Sequence, residues 1–211
     1  MSPDSPDALL FLSGHCPHCP ALLAGLTDLL KRGLIGRLEA VNLDVHPEAA
    51  ETLGVRTVPW LRMGPFVLTG TRSLAELEVW AGRGAGEAGM ADGFHDLLKS
   101  GDLQQVLDLV AAQPHRLAAL LAIVGNPEAS MNVRVGAGAA LEEQGGKPAL
   151  AALVPDLGAL SNHPDARVRT DACHYLGLSG SEAARPWLQA RLTDRNADVR
   201  EVALEALESL E

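Results

Sequence analysis

The sequence predicts an α/β domain followed by an all-α solenoid of helical repeats. Two observations carry this prediction. Over the first 84 residues, short apolar runs alternate with segments of helical periodicity, which is typical of a small sheet crossed by helices. Further along, a Val-Arg pattern recurs inside helix-like segments, which is typical of stacked repeats. The composition agrees, since 47% of the 211 residues are hydrophobic but only 3% are aromatic, which favours closely packed small helices.

The elements of the N-terminal region follow from apolar spacing and turn residues. Alternating or continuous apolar runs predict strands, and leucines three and four residues apart predict helices. Ser73 and Glu76 have the spacing of a capping box, which starts a helix that ends near Gly82. The predicted elements are, in order, a strand over 8–12, a helix over 17–32, a strand over 37–45, a short helix from Pro47 to Leu53, a hairpin of PWLRM and FVLTG around Gly64-Pro65, and the helix after Ser73.

The segment AGRGAGEAGMADG, residues 81–93, marks a change of composition. It contains five glycines, and no apolar residue recurs in it at helical spacing. Such a segment favours a linker or loose connection. We therefore predict a first domain over 1–84, a linker over 85–93 and a helical repeat domain over 94–211.

A repeat recurs three times in the helical region. Each copy has Val-Arg, an Ala four residues after the Val and a Leu eight residues after it, with Val-to-Val spacings of 35 and 31 residues. These offsets share one helix face, and the small Ala allows a neighbouring helix to approach closely. A unit of this length buries its apolar face only by stacking on the next unit, whereas chance similarity among Ala/Leu-rich helices is the alternative. The positions are Val133, Ala137 and Leu141; Val168, Ala172 and Leu176; and Val199, Ala203 and Leu207.

The segments NVRVGAGAAL, RVRTDACHYL and DVREVALEAL resemble HEAT repeats in their short bacterial form. The resemblance covers roughly residues 126–211 and implies a helical hairpin per repeat, with a concave face for a partner protein. Residues 91–125 are also predicted to be helical but lack the Val-Arg pattern. They are either a degenerate first repeat that caps the stack or an element that docks the N-terminal domain.

Charge and cysteine content limit the classes of function. The net charge of −10 and the pI near 5.1 repel phosphate backbones, so we expect no nucleic-acid partner. The N-terminus has no Lys or Arg before its apolar run of five residues, unlike a secretory signal, and no apolar stretch approaches the roughly 18 residues of a membrane span. With three cysteines the chain cannot build a disulfide framework. We expect a cytoplasmic protein that has no membrane segment.

Cys16 and Cys19 lie in the motif FLSGHCPHCP, for which the residues allow three interpretations. A zinc site needs about four ligands, and the chain offers only the neighbouring His15 and His18 beside the pair. Two structural thiols are the second interpretation. The third is a redox dithiol, favoured because the pair follows a predicted strand and opens a predicted helix, whose N-terminus stabilises a thiolate. Cys16 would then be the nucleophile and Cys19 the resolving thiol, with Pro17 in the first helical turn.

The sequence Thr57-Val58-Pro59 supplies a second feature, 43 residues past Cys16 and just before the predicted hairpin. Together with the C-x-x-C motif and the order of elements, it resembles the cis-proline loop of the thioredoxin family, over about residues 7–83. The resemblance implies that this loop packs against the sulfurs and that Val58 and Pro59 bind substrate. Trp60 is predicted either to flank a substrate groove or to be a core aromatic. Without the N-terminal β-α unit of full thioredoxins, the domain would be a minimal version of glutaredoxin length. An ordinary edge-strand proline is the alternative for Pro59.

The dipeptide inside CPHC has its own implication. It also occurs in strongly oxidising periplasmic disulfide donors, where the histidine stabilises the thiolate of the first cysteine; the resemblance implies that role for His18. A reducing cytoplasm points in the opposite direction, so the direction of exchange stays open. Leu10 stands where thioredoxins place a buried acid, and Ala40, with Glu39 beside it, lies near the place of the partner lysine. The proton acceptor for Cys19 is therefore open as well.

The leading hypothesis is an enzyme, a thiol–disulfide oxidoreductase that acts on protein disulfides and uses no organic cofactor. The HEAT-like half would bind a partner. The second hypothesis is a non-catalytic adaptor whose N-terminal domain senses redox state or docks peptides. A third is metal delivery through the two cysteines and the adjacent histidines. The remaining thiol, Cys173, is predicted to be a packed small hydrophobe on a repeat helix.

Overall fold

A computed structural model of the chain describes residues 5–86 and 89–210. It divides into two compact units, Met1–Gly93 and Phe94–Glu211, called the N-terminal and C-terminal units below. The elements of the N-terminal unit are β1 Asp7–Leu12, α1 Cys19–Lys31, β2 Arg37–Asn42, α2 Glu48–Thr52, β3 Trp60–Met63, β4 Phe66–Thr69 and α3 Leu74–Gly84. This order, β-α-β-α-β-β-α, is the predicted one.

The four strands form one mixed sheet in the order β2-β1-β3-β4. The strands β1 and β2 are parallel and are connected through α1, whereas β3 is antiparallel to both β1 and β4. Leu10, Leu61 and Leu68 are in register across three strands, and all are at most 3% exposed. Leucines of α1 and α3 complete this core, including Leu26 and Leu77. The apolar runs of the sequence thus became buried strands because their leucines share one sheet face.

Helix α1 begins two residues later than predicted. Its first hydrogen bond runs from the Leu22 amide to the His18 carbonyl, at 3.4 Å. The position predicted for Pro17, in the first helical turn, is therefore wrong; Pro17 lies in the preceding turn, and Pro20 occupies the first turn of the helix. Proline fits there because its missing N–H has no intrahelical partner.

Strand β2 is shorter than predicted and ends at Asn42 rather than residue 45. The carbonyl oxygen of Asn42 accepts hydrogen bonds from the amides of Val45 and His46, and its side chain accepts one from the Asp44 amide. Such a side-chain-closed turn competes with the ladder and ends the strand. The capping box of α3 is present as predicted: the Glu76 amide donates to Ser73 Oγ at 3.3 Å, and the Ser73 amide donates to Glu76.

The C-terminal unit consists of helices. They are α4 Met90–Lys99, which starts before the unit boundary, α5 Leu103–Ala112, α6 Leu121–Val124, α7 Met131–Glu142, α8 Pro148–Ala151, α9 Val154–Leu160, α10 Ala166–Leu178, α11 Arg185–Arg191 and α12 Ala197–Glu208, with 3-10 turns at Pro114–Leu120 and Glu182–Ala184. Helix α4 begins inside the segment predicted as a linker, and Met90 is 1% exposed. Two residues of that segment, 87 and 88, lie outside the described residues.

The three repeat signatures lie on α7, α10 and α12, one on each helix. All nine signature residues are buried; the most exposed of them is Leu207, at 9%. The spacing of 0, 4 and 8 residues therefore selects the inner face of each helix, as the sequence predicted. Within the described ranges, no helix has the length and apolarity needed to cross a membrane.

Candidate functional site

The cysteines of the CPHC motif form a disulfide bond, Cys16–Cys19, with a Cα–Cα distance of 5.5 Å. The pair lies at the start of α1, where Cys19 is the first helical residue and is 2% exposed. Cys16 lies just before the helix and is half-buried, so the first sulfur is the more accessible one. Pro17 and His18 are exposed beside the disulfide, and His18 makes no side-chain cap to α1.

The loop that carries Cys16 is held by two hydrogen bonds. The Cys16 amide donates to the Ser13 carbonyl at 3.3 Å, and the Gly14 amide donates to Asp44 Oδ2 at 2.7 Å. Asp44 follows β2, so the parallel strands β1 and β2 present both loops at the same edge of the sheet. Asp44 was not among the candidate site residues predicted from the sequence. Its signal was an aspartate two residues past the end of a strand parallel to β1.

The proline predicted to approach the disulfide also precedes a strand at this edge. The Val58–Pro59 peptide bond is cis, as the resemblance implied. Pro59 is buried, its carbonyl accepts a hydrogen bond from the Gly70 amide at 3.2 Å, and Val58 is half-buried. Because β1 and β3 are antiparallel, the end of β1 that leads to Cys16 and the start of β3 after Pro59 share one sheet edge. The binding role of Val58 and Pro59 stays a prediction.

Trp60 has an environment that fits its core alternative. The residue is 8% exposed, and its ring stacks on Phe11 with centroids 5.1 Å apart. A stacked pair of this kind stabilises the sheet core. Contact between the indole and a substrate, the other alternative, stays untested.

The two positions that the thioredoxin resemblance matched to an acid and a lysine are apolar and lie on adjacent strands. Leu10 and Ala40 are in register on β1 and β2. Glu39, the acid beside Ala40 in sequence, forms an ion pair with Arg37 at 2.9 Å, and its side chain is 53% exposed. Its carboxylate is therefore engaged at the surface of β2 and gains no support as the proton acceptor for Cys19.

The two histidines beside the disulfide, His15 and His18, are both exposed. Over residues 5–86 and 89–210, no cluster of three or more His, Cys, Asp or Glu side chains is arranged to hold a metal ion. The pair Cys16 and Cys19 is instead joined covalently, and thiols in a disulfide offer no thiolate ligand to a metal.

The third cysteine lies in a different environment. Cys173 is a free thiol within α10 and is completely buried. Desolvation by burial raises the pKa of Cys173 to about 11, because the thiolate loses its hydration. The sequence prediction of a packed small hydrophobe is confirmed.

The arginines of the Val-Arg signature were not singled out as polar anchors, yet they share one role. Arg134 donates to the Asn126 carbonyl, Arg169 to the His163 and Pro164 carbonyls, and Arg200 to the Asp194 carbonyl. Each one therefore ties the loop that precedes its helix to that helix. The available signal was the strict recurrence of Arg after the buried Val.

A match to a known protein family lies within the C-terminal unit. A family model described as HEAT repeats matches residues 114–208. None of the curated proteins matches the chain. The HEAT-like prediction is thus confirmed for this region. The match begins at residue 114, upstream of the predicted start at 126. Residues 114–125 therefore fall within the match to HEAT repeats, whereas the two alternatives for residues 91–113 stay predictions.

A groove on the repeat region lies between α7 and α10. Met131 and Val135, one helical turn apart on α7, are 77% and 62% exposed. Arg167, Asp171 and Tyr175 line the opposite wall from α10. Large apolar side chains exposed one turn apart beside charged residues are typical of a protein-binding surface. HEAT repeats and this groove together suggest a role in protein interaction.

Proposed function

We propose that the protein is a thiol–disulfide oxidoreductase whose N-terminal unit is a minimal thioredoxin-like domain and whose HEAT-repeat region binds a protein partner. The observation that carries the proposal is the disulfide of Cys16 and Cys19 at the start of α1. Further support comes from the order of elements and from the Val58-Pro59 segment that leads into β3 at the same sheet edge. We propose the cytoplasm as the compartment.

The chemistry is a two-electron exchange in two steps. In the reducing direction, the Cys16 thiolate attacks one sulfur of a substrate disulfide, forms a mixed disulfide and releases the other substrate sulfur as a thiolate. Cys19 then gives up its proton, through water, to the released substrate thiolate and attacks Cys16 Sγ. This step forms the Cys16–Cys19 disulfide and releases the second substrate thiolate. The substrate gains two electrons and the protein loses two; the reverse sequence oxidises a substrate dithiol.

The position of the pair suits this division of roles. Cys16 is half-buried and reachable, whereas Cys19 is 2% exposed on the first turn of the helix. Unpaired amides at a helix N-terminus favour a thiolate. In the mixed disulfide, Cys19 is therefore shielded from external disulfides but remains beside Cys16 Sγ, its intramolecular target.

The experiment that tests the proposal is a redox titration of the full chain in glutathione buffers. Free thiols are counted by the mass shift on alkylation, followed by peptide mapping. We expect one reversible two-electron transition confined to Cys16 and Cys19, which Cys16→Ser and Cys19→Ser each abolish. Cys173→Ser is the matched control and should leave the transition in place. A pair that forms no intramolecular disulfide at any poise contradicts the proposal.

A second step checks turnover with a disulfide-bonded protein and dithiothreitol. Wild-type chain is expected to accelerate reduction, and the Cys16→Ser chain is expected to leave the background rate unchanged. Acceleration that survives both single cysteine substitutions contradicts an enzyme based on this pair.

The adaptor function is the second candidate, and the exposed groove on α7 and α10 favours it. In that case Cys16 and Cys19 change a binding affinity but do not turn over. We expect the double substitution Met131→Ser and Val135→Ser to lower the affinity for a partner protein identified by crosslinking. The fold should stay intact, because both side chains are exposed. Leu204→Ser on α12, where Leu204 is 50% exposed, is the control for a general loss of surface hydrophobicity.

A further inference from the structure

Asp44 connects the loop after β2 to the loop that carries Cys16. Its Oδ2 accepts the Gly14 amide at 2.7 Å, a distance typical of a charge-assisted hydrogen bond. Its own amide donates to Asn42 Oδ1 at 2.9 Å, so a closed turn sets the position of the carboxylate. Thirty residues of chain separate the bonded groups, hence the contact is tertiary and not a local cap.

Gly14 is shaped to receive this carboxylate. A Cβ added there would come within 3.1 Å of Asp44 Oδ2, which is closer than ordinary van der Waals contact. One residue earlier, the Ser13 carbonyl accepts the Cys16 amide. The series of contacts therefore runs from Asp44 through Gly14 and Ser13 to the backbone of the first cysteine.

We infer that Asp44 is a positioning residue for the dithiol: it holds the Ser13–Cys16 turn so that Cys16 lies at the N-terminus of α1. A role of Asp44 in catalysis rests on the proposed function. The hydrogen bond to the Gly14 amide and its effect on the reactivity of the reduced Cys16 thiol do not. Asp44 is exposed, so its removal leaves no buried polar group unpaired.

The alternative to positioning is a direct charge effect, and the two have opposite signs. A nearby carboxylate disfavours a thiolate, so removing its charge would speed alkylation of Cys16. Loss of positioning instead moves Cys16 away from the helix N-terminus and slows alkylation at a pH below the thiol pKa. Asp44→Asn removes the charge but keeps an oxygen acceptor, whereas Asp44→Ala removes both.

The test compares Asp44→Ala, Asp44→Asn and Asp28→Ala in the full chain after reduction. Asp28 is the control, an exposed aspartate on α1 whose side chain pairs with Arg32. The measurements are iodoacetamide alkylation of Cys16 from pH 5 to 9, hydrogen exchange of the Gly14 amide and the equilibrium with glutathione. We expect Asp44→Ala to slow Cys16 alkylation near neutral pH by about tenfold, the effect of losing one hydrogen bond. Gly14 should also lose protection, while Asp44→Asn and Asp28→Ala stay within about twofold of wild type.

Each outcome decides the inference separately from the proposed function. Slower alkylation of Cys16 in Asp44→Ala, together with a wild-type rate in Asp44→Asn, supports positioning. Faster alkylation in both Asp44 variants, or a Gly14 amide that stays protected in Asp44→Ala, overturns it. If the wild-type pair forms no reversible disulfide, the proposed function fails, yet alkylation and exchange still decide the role of Asp44.

Discussion

Cys16 of the N-terminal unit and Cys173 of the C-terminal unit lie in contrasting environments. The N-terminal unit holds Cys16 half-buried in a loop before a helix, at a sheet edge where two parallel strands end. The C-terminal unit encloses Cys173 within α10, where its exposure is 0%. Both residues are cysteines in an Ala/Leu-rich protein, so residue type alone does not distinguish them. Exposure and the nearest backbone dipole do.

The two units also contain ion pairs of contrasting burial. In the N-terminal unit, the ion pair of Arg37 and Glu39 lies at the surface, with side chains 68% and 53% exposed. The C-terminal unit buries the pair of Arg169 and Asp194, with side chains 5% and 6% exposed. A stack of repeats has to hold loops between helices, and the buried arginine does so through two carbonyls and one carboxylate.

Alkylation of the fully reduced native chain should give the largest contrast between the units. With a pKa of about 11, Cys173 is thiolate in about one molecule in ten thousand at pH 7, and burial further restricts access. We expect Cys16 to react at least about a hundredfold faster with iodoacetamide than Cys173. Peptide mapping after timed quenching measures both rates, and denaturant should abolish the difference. Comparable rates in the native chain would contradict the buried environment of Cys173.

Breaking the buried ion pair should produce the next largest effect. Asp194→Ala leaves the guanidinium of Arg169 without its carboxylate in a buried site, which costs about 3 kcal/mol of unfolding free energy. Arg167→Ala, at an ion pair whose arginine side chain is 65% exposed, is the matched control and should cost less than about 1 kcal/mol. Urea denaturation followed by circular dichroism gives both values. Equal losses of unfolding free energy in the two variants would contradict the expected contribution of burial to the pair.

Acidification should weaken the same pair. The hydrogen bond from Arg169 lowers the pKa of Asp194, so its folded-state pKa lies below its unfolded value. The resulting stability is complete above the unfolded pKa of about 3.9 and is lost as the pH falls through the folded value. We expect unfolding free energies to fall below about pH 4 in wild type and to fall less steeply in Asp194→Ala. Parallel curves for both chains would rule out this linkage.

Removing a helix cap in the N-terminal unit should have the smallest effect. Ser73→Ala deletes the acceptor for the Glu76 amide at the start of α3, at a cost of about 1 kcal/mol. Thr27→Ala, which removes a hydroxyl bonded to the Leu23 carbonyl within α1, is a helix-interior control and should cost less. Thermal unfolding measures the shift, and a larger loss in the control would contradict the assigned capping role.

Most of the architecture was predictable because it depends on local periodicity. The nine signature residues are buried as their spacing of four predicts, and the strand–helix order follows apolar runs and turn residues. Boundaries moved by two or three residues where a side chain closed a turn, as Asn42 does after β2. The start of α4 was missed because Met90 is buried by tertiary packing in a glycine-rich segment with no helical apolar pattern of its own.

The sequence by itself determined the two-part organisation, the inner faces of the repeat helices and the candidate pair Cys16 and Cys19, because spacing along the chain encodes which side chains share a face. Only the tertiary structure decided which groups far apart in sequence are bonded. The contact of Asp44 with the Gly14 amide and the buried pair of Arg169 with Asp194 join residues 30 and 25 positions apart. Such contacts depend on where strands end and helices stack, and no local pattern records those distances.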